Sequence, residues 1–315
     1  MTRLYRIVSD RLDVYFNQAL EKYLLDHVEE DSIILYLWQN EKTVVIGRNQ
    51  DAYGECDVER LEKDGGHLAR RISGGGAVYH DTGNLNFTFL ANRKEYDVSS
   101  QNKVILDALK DLGIDAKRNG RNDLEIDGRK FSGHAYYNGK ESCLHHGTLM
   151  LEVDEEALCR YLNVSYVKLH SKNVPSVRSR IINLKSVRPD LDIAMMKEAL
   201  ITSFEENYGS KSEALSFDED EVRKIEEGFA DRDWYLGKKE EHEFEKERRF
   251  DWGVVKIRYD RNEDILTALD VYTDALYFDV SEKELKGLLN RRIKDIDMEG
   301  RSKQLKEIVD LLKEE

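Results

Sequence analysis

Proline and cysteine are nearly missing from this chain, with two of the first and three of the second in 315 residues. Three cysteines in a chain of this length build no disulfide framework, and Cys56, Cys143 and Cys159 contain no CxxC spacing. Pro175 and Pro189 alone, with no low-complexity tract, argue against long flexible linkers. Long apolar runs are absent too. The longest, Ile33 to Trp38, is far short of the ~20 residues that cross a bilayer. The first ten residues have no apolar h-region, so a secretory signal is not expected. Positive charge is in deficit: 49 Lys and Arg stand against 63 Asp and Glu, a formal charge of −14. That balance argues against general binding to nucleic acid or to an anionic membrane. A reduced, cytoplasmic protein is expected.

What is present is enough for a core. Hydrophobic residues make up 40%, and the length suggests one large domain plus a smaller one. Val14, Ala19, Leu20, Tyr23, Leu24 and Val28 lie near helical spacing and predict a first amphipathic helix. Ile33–Trp38 and Thr43–Ile46 read as β-strands joined in a hairpin by Gln39-Asn40-Glu41-Lys42. A helix is expected over Asp57–Asp64, closed by Gly65-Gly66. A strand follows with period-2 alternation: Leu85, Phe87 and Phe89 on one face, Asn84, Asn86 and Thr88 on the other. Ser100–Leu112 and Asp190–Phe204 read as helices, His146–Leu151 as a strand. Asp127-Gly128 between two β-prone arms is a strong hairpin signal. Strands paired mainly by hairpins, with helices between them, predict an α+β fold. The nearly all-charged run Gly237–Arg249 reads as a solvated connector or exposed helix end. Beyond it Trp252–Tyr259 and Ile265–Tyr272 form a strand pair. Ser281 and Glu284 make a capping box, and a last helix carries Leu305, Ile308, Val309 and Leu312. We therefore expect domains at 1–245 and 246–315.

Four segments carry chemistry. Arg70-Arg71-Ile72-Ser73-Gly74-Gly75-Gly76-Ala77-Val78-Tyr79-His80-Asp81 joins three glycines, which let backbone N–H groups approach an anion, to an arginine suited to phosphate or carboxylate. It is neither a Walker loop nor a GxGxxG turn, and bare Gly-Gly-Gly would be only a tight turn; the flanking Arg71, Ser73, His80 and Asp81 argue for more. In Gly120–His134 a hairpin brings Asn122 and Asp123 toward Lys130 and Ser132. An amide oxygen plus a carboxylate suits Mg²⁺, and a lysine held by a sheet can be aimed at developing negative charge. By itself this would be an ordinary charged surface hairpin. In Cys143-Leu144-His145-His146-Gly147-Thr148 the adjacent histidines face opposite ways along a strand and cannot share a metal, so one is expected at a pocket and the other in a structural role. Lys168, Lys172, Arg178, Arg180, Lys185 and Arg188 surround Pro175, a basic segment that reads as a solvated loop, a lid over an anion, or a docking surface.

Taken in order, these segments resemble the lipoate–protein ligase A family over essentially the whole chain, including Val44-Val45-Ile46-Gly47-Arg48-Asn49-Gln50, Gly120-Arg121-Asn122-Asp123, Arg129-Lys130-Phe131-Ser132-Gly133 and Ser176–Arg180. The resemblance implies a biotin-ligase-like mixed-sheet catalytic domain with a small α+β accessory domain that moves against it. It implies ATP and Mg²⁺ as cofactors and lipoate as substrate, giving lipoyl-AMP. The acceptors implied are lysines on lipoyl domains of 2-oxoacid dehydrogenase E2 subunits or on the glycine-cleavage H protein. By motif match Lys130 is the catalytic lysine. Arg71, Ser73, Gly75, Gly76, Ala77, Val78, Tyr79, Asn84, Asn122 and Lys130 hold ATP or lipoyl-AMP. Arg71, His80, His146 and Gly147 line the lipoate pocket, and Asp123 serves Mg²⁺. Many relatives have a second serine where this chain has His134 in Ser132-Gly133-His134-Ala135.

Two other readings compete. One is an octanoyl or lipoyl transferase acting through a Cys143 thioester, next to His145 and His146. The other is a non-enzymatic binder of lipoate or nucleotide. The second domain and the Asn122-Asp123 pair favour ATP use over both.

Overall fold

The computed structural model describes residues 2–120, 122–163, 180–237 and 241–314. Among these the largest unit is an eight-stranded mixed sheet. Its strands are β1 (Arg3–Val8), β2 (Ser32–Trp38), β6 (Asn84–Asn92), β7 (Lys117–Asn119), β8 (Asp123–Ile126), β9 (Arg129–Asn138), β10 (Ser142–Met150) and β11 (Ser212–Ala214), in the order β11-β1-β2-β6-β10-β9-β8-β7. β1 runs parallel to both its neighbours and the rest are antiparallel, an α+β arrangement as expected. A second small sheet has the order β4-β3-β5, from β3 (Thr43–Ile46), β4 (His67–Arg70) and β5 (Val78–His80).

The expected helix α1 forms over Val14–His27. The Asp13 carboxylate caps it by accepting from the Tyr15 and Phe16 N–H groups, and Phe16, Ala19, Leu20 and Leu24 are buried. Helices α2 (Ala52–Glu55) and α3 (Val58–Lys63) follow, then α4 (Val98–Asp111), α5 (Glu155–Tyr161) and α6 (Ile193–Tyr208). Leu85, Phe87, Phe89 and Ala91 of β6 pack with α4 and α6 residues into the main core. Asn84, Asn86 and Thr88 on the other face are equally buried. The alternation is real, but its polar face looks into the protein.

The hairpin between Ile33–Trp38 and Thr43–Ile46 does not form. Every residue of β2 is buried, and both its edges are already bonded, to β1 and to β6. No edge is left for β3, which joins the second sheet. The intervening Asn40 is fully buried, bonded to Asn17 and His80 instead of turning a hairpin. The Asp127-Gly128 hairpin does form, with φ of +51° and +75°, the two left-handed residues a type I′ turn requires.

The charged run before residue 250 holds a strand that the sequence reading took for a connector: β12 (Phe244–Phe250), the edge of an antiparallel sheet with β13 (Gly253–Asn262) and β14 (Ile265–Thr273). An edge strand tolerates charge on its open side, and Arg248 pairs with Glu314 there. Ser281 and Glu284 make the capping box, although the helix they start is short, Glu282–Lys286. The last helix, Lys303–Lys313, buries Leu305, Ile308, Val309 and Leu312 in a separate core with Val255, Ile257 and Leu266. Contacts that join this unit to the larger one include Gly75 N–H donating to Ala275 O (2.8 Å), Thr273 N–H donating to Asn49 O (2.8 Å), the Arg258–Asp51 pair (2.7 Å) and the stacked rings of Tyr136 and Tyr277 (6.2 Å).

Candidate active site

A cavity of about 110 Å³ lies between the sheet, α1 and the glycine loop. Its floor is a row of residues directly opposite one another across four strands. Gly133 of β9 stands opposite Thr148 of β10, with its N–H on the Thr148 hydroxyl (3.3 Å); Thr148 pairs with Asn86 of β6, and Asn86 with Trp38 of β2. Three strand spacings make that row about 14 Å long.

Lys130 stands at one end. Its ammonium lies 2.8 Å from the Asp123 carboxylate across the hairpin, and Gly133 leaves room for it, since a Cβ there would come within 2.9 Å of Nζ. Asn122 joins the same corner: its carbonyl accepts from His134 N–H (2.8 Å) and its Nδ2 donates to His134 O (3.1 Å). The chain that follows residue 179 lands on this strand, with Ile182 N–H donating to Lys130 O.

Gly74, Gly75 and Gly76 connect β4 to β5. Gly75 has φ of +93°, and Gly47 packs so closely that a Cβ on it would meet Gly75 O at 2.0 Å. Arg71 holds the loop's shape. Its guanidinium donates to Gly74 O (2.7 Å), Gly76 O (2.8 Å), Val45 O (3.3 Å) and the Ser73 hydroxyl (3.0 Å). Burial lowers its pKa to about 10, still far above neutrality. Arg71 thus lines the cavity as a charged brace whose donors are largely engaged by backbone.

His146 and His145 divide as expected. The His146 Nδ1–H donates to the Glu21 carboxylate (2.8 Å) and its Nε2 contacts the Ser73 hydroxyl (2.7 Å). Glu21 also accepts from Thr88 (2.7 Å), and Trp38 Nε1–H donates to that Thr88 hydroxyl (3.0 Å). His145 faces away, in a buried chain Ser132–His134–His145–Gln101 with contacts of 2.9 to 3.0 Å. Burial, then the charge of Lys130, pushes the His134 pKa down to about 3. His80 is pushed down to about 3 by burial, then Arg71 and His146.

Of the residues anticipated from sequence, Arg71, Gly75, Gly76, Ala77, Val78, His80, Asn122, Lys130, His146 and Gly147 all line the cavity. Ser73 sits behind it, orienting Arg71 and His146. Asp123 reaches it through Lys130. Two side chains are not brought there. The Tyr79 ring alternates away from Val78 and His80 and packs against Tyr161 in a second core, and Asn84 is fully buried, donating to Asn86. Arg121 and residues 168–179 of the basic segment lie outside the described residues; Lys185 pairs with Glu152 and Arg188 with Asp190. Cys143 is buried on the opposite face of β10, and burial raises its thiol pKa, the reverse of an activated nucleophile. Among the described residues no group of three or more His, Cys, Asp or Glu is placed to hold a metal.

Sequence reasoning missed Gln18, Glu21, Trp38, Asn86 and Thr148, which complete the walls. A signal existed: Asn17, Gln18 and Glu21 interrupt the buried face of α1, and polar residues on a core-facing helix stripe need partners.

Comparison with known proteins agrees with this architecture. The family model for the lipoyl protein ligase A/B catalytic domain matches residues 13–205. A lipoate-protein ligase A of Psychrobacter cryohalolentis is 37% identical over 293 residues, covering 90% of this chain and 85% of that one. One of Blochmanniella pennsylvanica is 39% identical over 287 residues, 88% and 85%. The crystal structure of P. falciparum LipL1 in complex with lipoate superposes with a TM-score of 0.79 at 28% identity, covering 98% of both chains. A lipoate-protein ligase A bound with ATP gives 0.65 at 25% identity, with 75% and 98% covered. The fold is thus the mixed α+β class of the lipoate-protein ligases. The chain belongs to the lipoate–protein ligase A family.

Proposed function

We propose that the protein activates lipoate with ATP and transfers the lipoyl group to a lysine of lipoyl-domain proteins. The observation that carries this reading is Lys130: a lysine ammonium, paired only with Asp123 among the described residues and given room by Gly133, at one end of a cavity walled by Trp38, Val45, Ala77, Val78 and Ala135. An acid with a long apolar chain would lie along the row toward Trp38, its carboxylate at Lys130.

In the first step a carboxylate oxygen attacks the α-phosphorus of ATP and the bond to pyrophosphate breaks. Both partners are anions, so the protein's task is positioning and charge neutralisation. Lys130 supplies the mobile charge at that junction, and Arg71 keeps the glycine loop shaped so that the backbone N–H groups of Gly76 and Ala77 can meet phosphate oxygens. One carboxylate and one amide, Asp123 and Asn122, suit Mg²⁺, which binds through few protein ligands plus substrate phosphates; the ion would neutralise phosphate charge there. In the second step the acceptor amine attacks the acyl carbon and AMP leaves.

In this reading the catalytic domain precedes β12 and the accessory domain begins with it at Phe244, two residues ahead of the expected 245/246 boundary, since Phe244 and Glu245 pair with Tyr259 and Arg258 of β13. The acceptors are lipoyl domains of 2-oxoacid dehydrogenase E2 subunits or the glycine-cleavage H protein. An archaeal bipartite lipoate protein ligase of Thermoplasma acidophilum, solved with its E2 lipoyl domain, is a structural relative (TM-score 0.66, 27% identity, covering 77% of this chain and 99% of that one). Among the described residues no helix is long and apolar enough to cross a membrane, in keeping with a cytoplasmic site of action. The test is mass spectrometry of apo lipoyl domain after incubation with the protein, lipoate, ATP and Mg²⁺. One lipoyl adduct that requires ATP and survives Cys143→Ser is expected. An adduct formed without ATP and lost in Cys143→Ser would replace this reading with the thioester route.

A further inference from the structure

Buried polar atoms with nothing to bond, several of them donors, line the cavity toward Trp38. Gln18 is 2% exposed, lines the cavity, and has no partner for either side-chain amide atom. Asn86 accepts from Asn84 through Oδ1, which leaves its Nδ2 unpaired. His80 receives a hydrogen bond at Nδ1 from Asn40 Nδ2 (3.0 Å). That Asn40 orientation is fixed independently, because Asn40 Oδ1 accepts from Asn17 Nδ2 (3.1 Å). His80 Nδ1 is therefore an acceptor, the proton is on Nε2, and that Nε2–H is unpaired.

All three line the same cavity. Asn86 pairs with Trp38 in the floor row, the His80 ring stands edge-on to Trp38 at 6.1 Å, and Gln18 lies one helical turn before Glu21, which accepts from the Thr88 hydroxyl that Trp38 also bonds. Buried donors are normally satisfied, and such a cluster lining a cavity calls for acceptor atoms on whatever fills it. Lys130 takes the carboxylate at the other end, two to three strands away, so the acceptors must be on the tail. A saturated alkyl tail has none. The dithiolane ring of lipoate has two sulfurs, weak acceptors that also pack well against an aromatic ring.

We propose that Gln18, with His80 Nε2–H and Asn86 Nδ2, is the specificity element that favours lipoate over a saturated fatty acid of equal chain length, by donating to the ring sulfurs beside Trp38. This rests on the lipoate-activating reading above. A site built around donors rejects an analogue that leaves them unpaired. Because sulfur accepts weakly, each donor is worth roughly tenfold here rather than the far larger factors seen for hydroxyl groups.

The test compares kcat/KM for pyrophosphate release with lipoate and with octanoate. The wild-type protein should prefer lipoate by about tenfold or more. Gln18→Leu should lower the lipoate-to-octanoate ratio by about 5- to 30-fold, through loss on lipoate, and Gln18→Met, closer in length and also lacking a donor, should do the same. A wild-type ratio within about twofold of one would overturn the proposal, whatever the variants do. So would an unchanged ratio in whichever variants fold, which would mean that the donors hold ordered water. Activation of neither acid by the wild-type protein would instead remove the ligase reading itself.

Discussion

Replacing Lys130 by methionine keeps an unbranched side chain one atom shorter and removes its charge. In the resting site that charge faces the Asp123 carboxylate at 2.8 Å, and the two side chains are 38% and 33% exposed. Partly screened charges of this kind interact at an effective dielectric near 20, where a pair about 4 Å apart is worth about 4 kcal/mol. If Lys130 makes one such contact to charge that develops only during attack on phosphorus, its loss slows adenylation by roughly 10³. This agrees with the roughly 10²–10³ measured for removing one preorganised electrostatic group. Asp123 adds a second effect, since without the lysine it stands uncompensated beside two incoming anions. The double variant Lys130→Met/Asp123→Asn separates its roles. Partial recovery relative to Lys130→Met would mean that Asp123 chiefly balances the lysine; a further loss would mean that it serves Mg²⁺. The assay is lipoate-dependent pyrophosphate release without acceptor protein, so that the first chemical step is read alone. A Lys130→Met protein within about fivefold of wild type would refute the argument, because no electrostatic term of the size just worked would then be missing.

Other perturbations follow from the same geometry. Gly133→Ala places a Cβ 2.9 Å from Lys130 Nζ and 3.0 Å from its Cε; the flexible side chain yields, so melting temperature should barely change while adenylation falls by up to about 10², the scale for a catalytic group misplaced by an ångström. Glu21→Ala removes the acceptor shared by His146 and Thr88 and should destabilise the fold by about 1–3 kcal/mol, read as a lower urea midpoint with unchanged slope. Acid should destabilise the protein through His80 and His134, whose folded pKa values near 3 lie below the ordinary value of about 6.5. The unfolded chain binds those protons first, so this contribution is complete above about pH 6.5 and is lost as pH falls toward 3, at about 1.4 kcal/mol per pH unit per histidine. Unfolding free energies at pH 7, 6 and 5 should show a shallower slope in His134→Gln than in wild type, and equal slopes would contradict the buried neutral histidine.

How much of this was legible in the chain depends on how far each feature reaches. The Asp127-Gly128 hairpin and the Ser281 cap are decided within a few residues by local dihedral preference and hydrogen bonding. The pairing of β2 was not, because a wholly buried strand has two edges and its four-residue approach to β3 says nothing about which distant strands will occupy them. β12 was hidden for the converse reason: an edge strand needs few apolar residues, so its charge looked like a connector.

The same division runs through the site. Arg71 and the glycine loop were marked out by their residue types, whereas Lys130 and the Asn122–Asp123 corner, an ordinary charged hairpin by themselves, were marked out by the resemblance to the ligase family. That Arg71 braces the loop, that Tyr79 turns away, and that Glu21 meets His146 across 125 positions were decided only when the sheet, the helix and the loop closed on one another. Burial is the physical reason. A polar side chain such as Gln18 or Asn86 reads as solvent-facing until packing removes the solvent. Only then does its unbonded donor become a constraint on what the cavity can hold.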